Sequence, residues 1–156
     1  MKLEGSFETN NYKIAIVTAK FNELITMKLH DGAVSTLKKF GLKDTQITEC
    51  FVPGAFELPL TCKMLAESRG FDAVIAIGAV IKGDTDHYHY VCNETAKGIS
   101  NASLTTGVPV IFGVLTVDTL EQAFDRSGAK AGNKGSECAH TAIEMASLAK
   151  KIKSLS

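Results

Sequence analysis

The chain has 156 residues, 45% hydrophobic and 22% charged, with 17 acidic and 17 basic side chains. That length and balance predict one domain with a packed core. They exclude a polyanion- or membrane-binding surface, and no basic stripe, RNP-like aromatic motif or helix-turn-helix signal points to nucleic acid. No apolar stretch approaches the ~18–20 residues of a membrane span, and the first residues lack the apolar region of a signal peptide. The four cysteines, Cys50, Cys62, Cys92 and Cys138, form no C-x-x-C pair. They are expected to be reduced thiols of a cytoplasmic protein, most of them small core residues.

In chain order, residues 2–8 alternate Leu3, Gly5 and Phe7 with polar residues. This predicts a short strand, at a sheet edge or added to a neighbouring subunit's sheet. Lys13 to Thr18 is a continuous apolar strand of the kind buried on both faces. A loop, Ala19 to Asn22, follows, with Asn22 as candidate helix N-cap. The next helix is expected to bury Leu24, Met27, Leu29, Ala33, Val34, Leu37 and Phe40 before stopping at Gly41. Ile47 to Val52 is the second strand. Pro53-Gly54 ends it, and a helix is expected from Ala55 to about Arg69, its first turn tolerating Pro59.

Ala73 to Ile81 is a third buried strand, broken by Gly83. Asp84, Thr85 and Asp86 are all good N-caps. From His87 a helix begins, with Tyr88, Val91, Cys92, Thr95, Ile99 and Ala102 on one face, ending near Gly107. Val108 to Leu115 is the fourth strand. Thr116–Thr119 caps a short helix, Leu120 to Arg126, and a glycine-rich basic loop carries Lys130 and Lys134. The last helix, Ser136 to about Lys153, presents a narrow alanine-rich face, Ala139, Ala142, Ile143, Ala146, Leu148 and Ala149, suited to packing against another helix.

Strands alternating with helices predict a three-layer αβα sandwich on a four-stranded parallel sheet with right-handed crossovers, flavodoxin-like, plus the short N-terminal strand. The loops after the first three strands must then emerge at one sheet edge, where open α/β folds bind ligands. Phe21, Phe56, Glu57, Thr85 and His87 are brought to one crevice. The aromatics suit a flat ring, although Phe21 alone could merely staple a helix start. Glu57 suits hydroxyl or ring N–H donors, although at a helix start it could simply compensate the dipole. The Asp84–Thr85 turn opens a helix whose free N–H groups favour an anion such as phosphate. His87 carries a proton near neutral pH.

A metal site is the main rival, because Asp84, Asp86, His87 and His89 are ligand types that zinc takes. On a helix, however, His87 and His89 stand about 200° apart and do not converge. His89, His30 and His140 are read as ordinary helix residues. Neither a G-x-S-x-G elbow nor a P-loop nor a dinucleotide fingerprint occurs. Two classes remain: an enzyme joining a phosphorylated small molecule to a flat ring, or a flavodoxin-like binder of a phosphorylated aromatic. A pure binder has no need of His87 beside the anion.

Six segments carry a resemblance over nearly the whole chain. They are Phe21-Asn22, Val52-Pro-Gly-Ala-Phe-Glu57, Gly78-x-Val-Ile-x-Gly83-x-Thr-x-His-Tyr88, Val91-Cys-Asn-Glu94, Gly107-Val-Pro-Val-Ile-Phe-Gly-Val114 and Ala131-Gly-Asn-Lys-Gly135. In kind and order they resemble the 6,7-dimethyl-8-ribityllumazine synthase family. The resemblance implies condensation of 5-amino-6-ribitylaminouracil with 3,4-dihydroxy-2-butanone 4-phosphate, releasing phosphate and water, in the penultimate step of riboflavin synthesis. No metal or cofactor is implied. It also implies roles: Phe21 stacking on the pyrimidine, Ala55, Phe56 and Glu57 on the ribityl-pyrimidine, and the Ala79, Val80 and Ile81 backbone along the ring edge. Asp84 and Thr85 would serve the phosphate and His87 the proton shuttle. Phe112 and Arg126 would come from the adjacent subunit, with Asn22 and Lys134 near the site.

The same resemblance implies a homopentamer with shared sites. The compact Lys130–Gly135 turn favours a 60-subunit icosahedral shell, and association with riboflavin synthase is implied too. Three departures from the family pattern are Lys82 in place of a common arginine, Ala79 in place of a frequent threonine, and the carboxylates of Asp84 and Asp86. They imply a weaker grip on phosphate.

Overall fold

The computed structural model describes residues 1–156. Four strands form one parallel sheet: β1 (Ile14–Ala19), β2 (Ile47–Val52), β3 (Ala73–Ile81) and β4 (Val110–Val117), in the order β2-β1-β3-β4. Every residue of β1 is buried, as its unbroken apolar run demands for a central strand. The sheet separates two apolar layers. On one face, α1 (Glu23–Lys39) and α5 (Lys134–Lys153) pack Ile25, Leu29, Leu37, Ala139, Ala142 and Ile143 against Ile14, Ile16 and Ile75. On the other, α2 (Leu58–Glu67) and α3 (His87–Thr106) pack Leu58, Cys62 and Ile99 against Val17 and Val74. A short α4 (Leu120–Arg126) follows β4. This is the expected flavodoxin-like three-layer α/β fold.

The alanine face of α5 does what its narrowness predicts. It lies so close to α1 that a Cβ on Gly135 would collide with the Leu29 carbonyl. At the same crossing Asn133 caps α5 by accepting from the Ser136 N–H at 3.1 Å, and its Nδ2 donates to the Lys28 carbonyl at 3.0 Å. Thr119 and Gln122 form a reciprocal capping box on α4, as the Thr116–Thr119 stretch suggests.

Four details differ from the sequence reading. Residues 2–8 form no strand in the single chain. They lie along α5, where Ser147 Oγ takes the Ser6 N–H at 3.0 Å and Lys151 Nζ donates to the Glu4 carbonyl at 2.8 Å. Their backbone and side-chain partners are on helices rather than on a strand, with Phe7 stacked on Phe40. The buried stripe of α1 is Ile25, Leu29, Ala33 and Leu37, and Leu24 is exposed. Leu24 and Ile25 are adjacent, so periodicity alone does not fix the phase. The segment after Pro53-Gly54 opens as a 3₁₀ turn, Ala55–Glu57, before α2, which places Glu57 at the N-cap. The fourth strand starts at Val110, two residues later than expected, and Pro109 contributes only its carbonyl, to the Val74 N–H at 2.9 Å.

Candidate active site

The chain leaves β1 leftward to β2 and then crosses to β3 on the other side, so the sheet has a topological switch point between β1 and β3. The loops after these strands diverge to opposite faces, which opens a crevice at their carboxyl ends. A cavity of about 730 Å³ lies there. Its walls come from the Phe21-Asn22 loop, the Pro53–Glu57 turn, the end of β3 from Ala79 to Ile81, and the Gly83–Val91 segment. Phe21, Asn22, Ala55, Phe56, Glu57, Ala79, Val80, Ile81, Thr85 and His87 are thus brought together.

The lining is mainly apolar, with three polar elements placed around it. Phe21 is 72% exposed and Phe56 59%, so both rings stand free at the mouth. Glu57 presents an exposed carboxylate beside Gly54. The turn before α3 has open amides: the N–H groups of Gly83, Asp84, Thr85 and Asp86 donate to no acceptor within the chain. Asp86 occupies the N-cap without using its side chain. Together with the helix dipole, these open amides give the turn a local potential that favours negative charge. The Thr85 hydroxyl accepts the His87 N–H at 3.4 Å, which sets His87 at the head of α3 with its imidazole exposed.

Asn22 departs from the expected capping role. It occupies the N-cap of α1 in the left-handed region, φ 64° and ψ 48°, and makes no side-chain cap. Its Nδ2 instead donates to the Ala79 carbonyl at 2.8 Å.

Four of the sequence-selected residues lie outside the crevice of a single chain. Asp84 sits on the exposed outer side of the turn and does not line the cavity, and no ion pair joins it to Lys82. Phe112 stands opposite Ala76 near the start of β4, well short of the carboxyl edge at which the crevice opens, with its ring exposed. Arg126 ends α4, exposed, with Nη1 donating to the Gln122 carbonyl at 3.1 Å. Lys134 begins α5 near Cys138.

Tyr88, Tyr90 and Val91 also line the crevice and were not selected as site residues. The signal was present: Tyr90 and Val91 follow His87 by three and four residues, the spacing that shares a helix face. Tyr90 is 70% exposed at the mouth. Burial raises the Tyr88 phenol, with the Cys92 thiol beside it adding to the shift.

The histidines divide clearly. His30 is buried, with Nδ1 2.7 Å from Thr18 Oγ1, Nε2 against Glu49 and its ring facing Phe51. It is a satisfied buried side chain and does not line the crevice. His140 packs edge-on against Phe7 and Phe40, and His89 against Tyr88. Nowhere do three His, Cys, Asp or Glu side chains converge as a metal would require. No helix is long and apolar enough to cross a membrane.

A family model described as 6,7-dimethyl-8-ribityllumazine synthase matches residues 11–150. That match spans all four strands and five helices with little of α5 left over, and it contains every wall of the crevice. With the sheet order, the switch-point crevice and the aromatic, carboxylate and open-amide lining on the same segments, the chain belongs to the 6,7-dimethyl-8-ribityllumazine synthase family, enzymes of riboflavin biosynthesis.

Proposed function

We propose that the protein condenses 5-amino-6-ribitylaminouracil with 3,4-dihydroxy-2-butanone 4-phosphate to give 6,7-dimethyl-8-ribityllumazine. The observation that carries this reading is the shared crevice of free aromatic rings, an open-amide turn and an exposed imidazole. A flat pyrimidine fits between Phe21 and Phe56, and its ribityl hydroxyls face the Glu57 carboxylate. The Val80–Ile81 backbone borders the ring edge. The ketose phosphate fits against the Gly83–Asp86 amides, one helix turn from His87.

The chemistry then follows from position. The 5-amino group attacks the ketone, and loss of water from the carbinolamine needs a proton that His87 supplies. Phosphate departs with its bonding electrons when its charge is held by amides and a guanidinium. That elimination takes the proton of the hydroxyl-bearing carbon beside the imine and leaves an enol, which tautomerises to a new ketone. The ribitylamino nitrogen then closes onto this ketone, with loss of a further water. Both reactants are inherently reactive, so orientation supplies much of the rate.

Arg126 and Phe112 lie outside the cavity of their own chain, and the mouth is lined by exposed Phe21, Phe56 and Tyr90. Both facts support a neighbouring subunit completing each site through a heterologous contact that closes a ring of five. The compact 130–135 turn favours twelve such rings in a shell. Residues 2–8 lie along α5 with Leu3 and Phe7 partly exposed, which supports their contact with such a neighbour's sheet edge. Mixing both substrates with chelator-treated protein tests the assignment: growth of the lumazine absorbance supports it, and its absence at saturating substrates rejects it.

A further inference from the structure

We infer that Asn22 is a positioning residue that fastens the aromatic platform of Phe21 across the switch point of the sheet. This inference rests on the proposed use of the crevice for a flat ring. The pairing of β1 with β3 ends at Thr18 opposite Ile77, so Gly78 to Ile81 run on without a β1 neighbour. The Ala79 carbonyl lies in that stretch, which β4 pairs on one side and no strand pairs on the other. Asn22 replaces the missing strand with its side chain, Nδ2 donating to that carbonyl at 2.8 Å.

The arrangement is specific to asparagine. The backbone at Asn22 is left-handed, φ 64°, a region where most side chains are strained but Asn is tolerated. That twist aims the amide back at β3, whereas a conventional N-cap would turn it toward the first amides of α1. The Asn22 carbonyl meanwhile starts α1 by accepting the Ile25 and Thr26 N–H groups, both at 3.0 Å. One residue thereby joins the helix start, the β1 loop and the end of β3.

Phe21 depends on this fastening. Its ring is exposed, so packing does not hold it. It is held through its backbone: on one side the Phe21 N–H donates to the Pro53 carbonyl at 3.0 Å, and the Lys20 N–H to the Val52 carbonyl at 2.8 Å. On the other side the only tie to β3 is the Asn22 amide. A loop tied on both sides keeps an exposed ring in one orientation before ligand arrives, and lower ordering cost on binding appears as affinity.

Two variants isolate the amide. Asn22→Asp keeps shape and tolerance of the left-handed region but sets a carboxylate against the Ala79 carbonyl. Asn22→Gly keeps the backbone and removes the side chain. Each is expected to raise KM for the pyrimidine roughly five- to tenfold, about the worth of one net hydrogen bond, with KM for the ketose phosphate unchanged. In a Phe21→Ala background the same changes should add no more than about twofold, because the ring they orient is gone. Amide hydrogen exchange at Phe21 should quicken about tenfold in both variants, and this readout needs no turnover.

Unchanged exchange at Phe21 would overturn the inference, as would full additivity with Phe21→Ala or an equal loss of ketose phosphate affinity. If wild-type protein made no lumazine, the functional reading would fall while the exchange experiment still decided whether Asn22 holds the platform.

Discussion

The Thr85 hydroxyl receives the backbone N–H of His87 at 3.4 Å, so the proposed proton carrier and the proposed anion turn are one structural unit. The His87 imidazole itself is exposed and makes no hydrogen bond within the chain. His87→Ala should therefore lower turnover about ten- to a hundredfold, at the low end of general acid–base effects because orientation carries most of the rate. The thermal midpoint should hardly move. Initial rates from lumazine absorbance check this, and a loss of more than about ten-thousandfold would mean that His87 does more than move protons.

Arg126 hydrogen-bonds only within α4 and lies outside its own chain's crevice. If it serves a neighbour's phosphate, Arg126→Ala should raise KM for the ketose phosphate and spare the pyrimidine. Co-refolding Arg126→Ala with His87→Ala chains should then restore activity above either variant alone. Each mixed ring contains some sites with both groups intact. Mixtures no more active than their parts would place each site within a single chain.

Assembly follows from the same relation. Light scattering should give a mass of about one megadalton, sixty times the 16.7 kDa chain, if the rings close into a shell. Five chains alone would leave the ring and reject the shell. A fully active monomer would remove the shared site.

The Asp84 and Asp86 carboxylates flank open amides and take part in no ion pair. Exposed charges near an anion act weakly and through solvent, with a screening length of about 10 Å at 0.1 M salt. Asp84→Asn and Asp86→Asn should each tighten inhibition by inorganic phosphate about two- to fivefold at low salt. The gain should fade as salt rises. A gain independent of salt would point to a direct contact instead.

Burial pushes the Cys62 thiol up to about 12 and the Cys138 thiol up to about 11. In the unfolded chain both ionise at their ordinary value near 9.0. Between those values the folded state binds more protons than the unfolded state, so the thiols' contribution to stability declines as pH rises. It is complete below about pH 8.5 and falls from there toward pH 12. Urea midpoints should drop between about pH 9 and pH 11, and replacing both thiols by Ala should flatten that drop. At neutral pH, alkylation should reach Cys50 and Cys92, which are partly exposed, and spare the buried pair.

The sheet, the two helical layers and most of the crevice are legible in the residue pattern alone. Apolar runs such as Ala73 to Ile81 bury on both faces only in a parallel sheet, and glycine and proline punctuation marks where each run stops. Once those loops share a sheet edge, Phe21, Phe56, Glu57, Thr85 and His87 converge by topology. The family's motifs fall on the same loops.

Tertiary structure decided what periodicity leaves open. The phase of α1 turned on whether Leu24 or Ile25 faces the sheet, and only packing against α5 settles that in favour of Ile25. Asn22 carries the composition of an N-cap, but the end of β3 offers its amide the Ala79 carbonyl, a partner remote in sequence. Local pattern has no means of seeing that carbonyl. Phe112 likewise owes its place to the pairing register of β4, which sets it opposite Ala76 and away from the crevice of its own chain. Long-range partners fixed these positions, because a side chain's direction depends on what closes over it and not only on its neighbours along the chain.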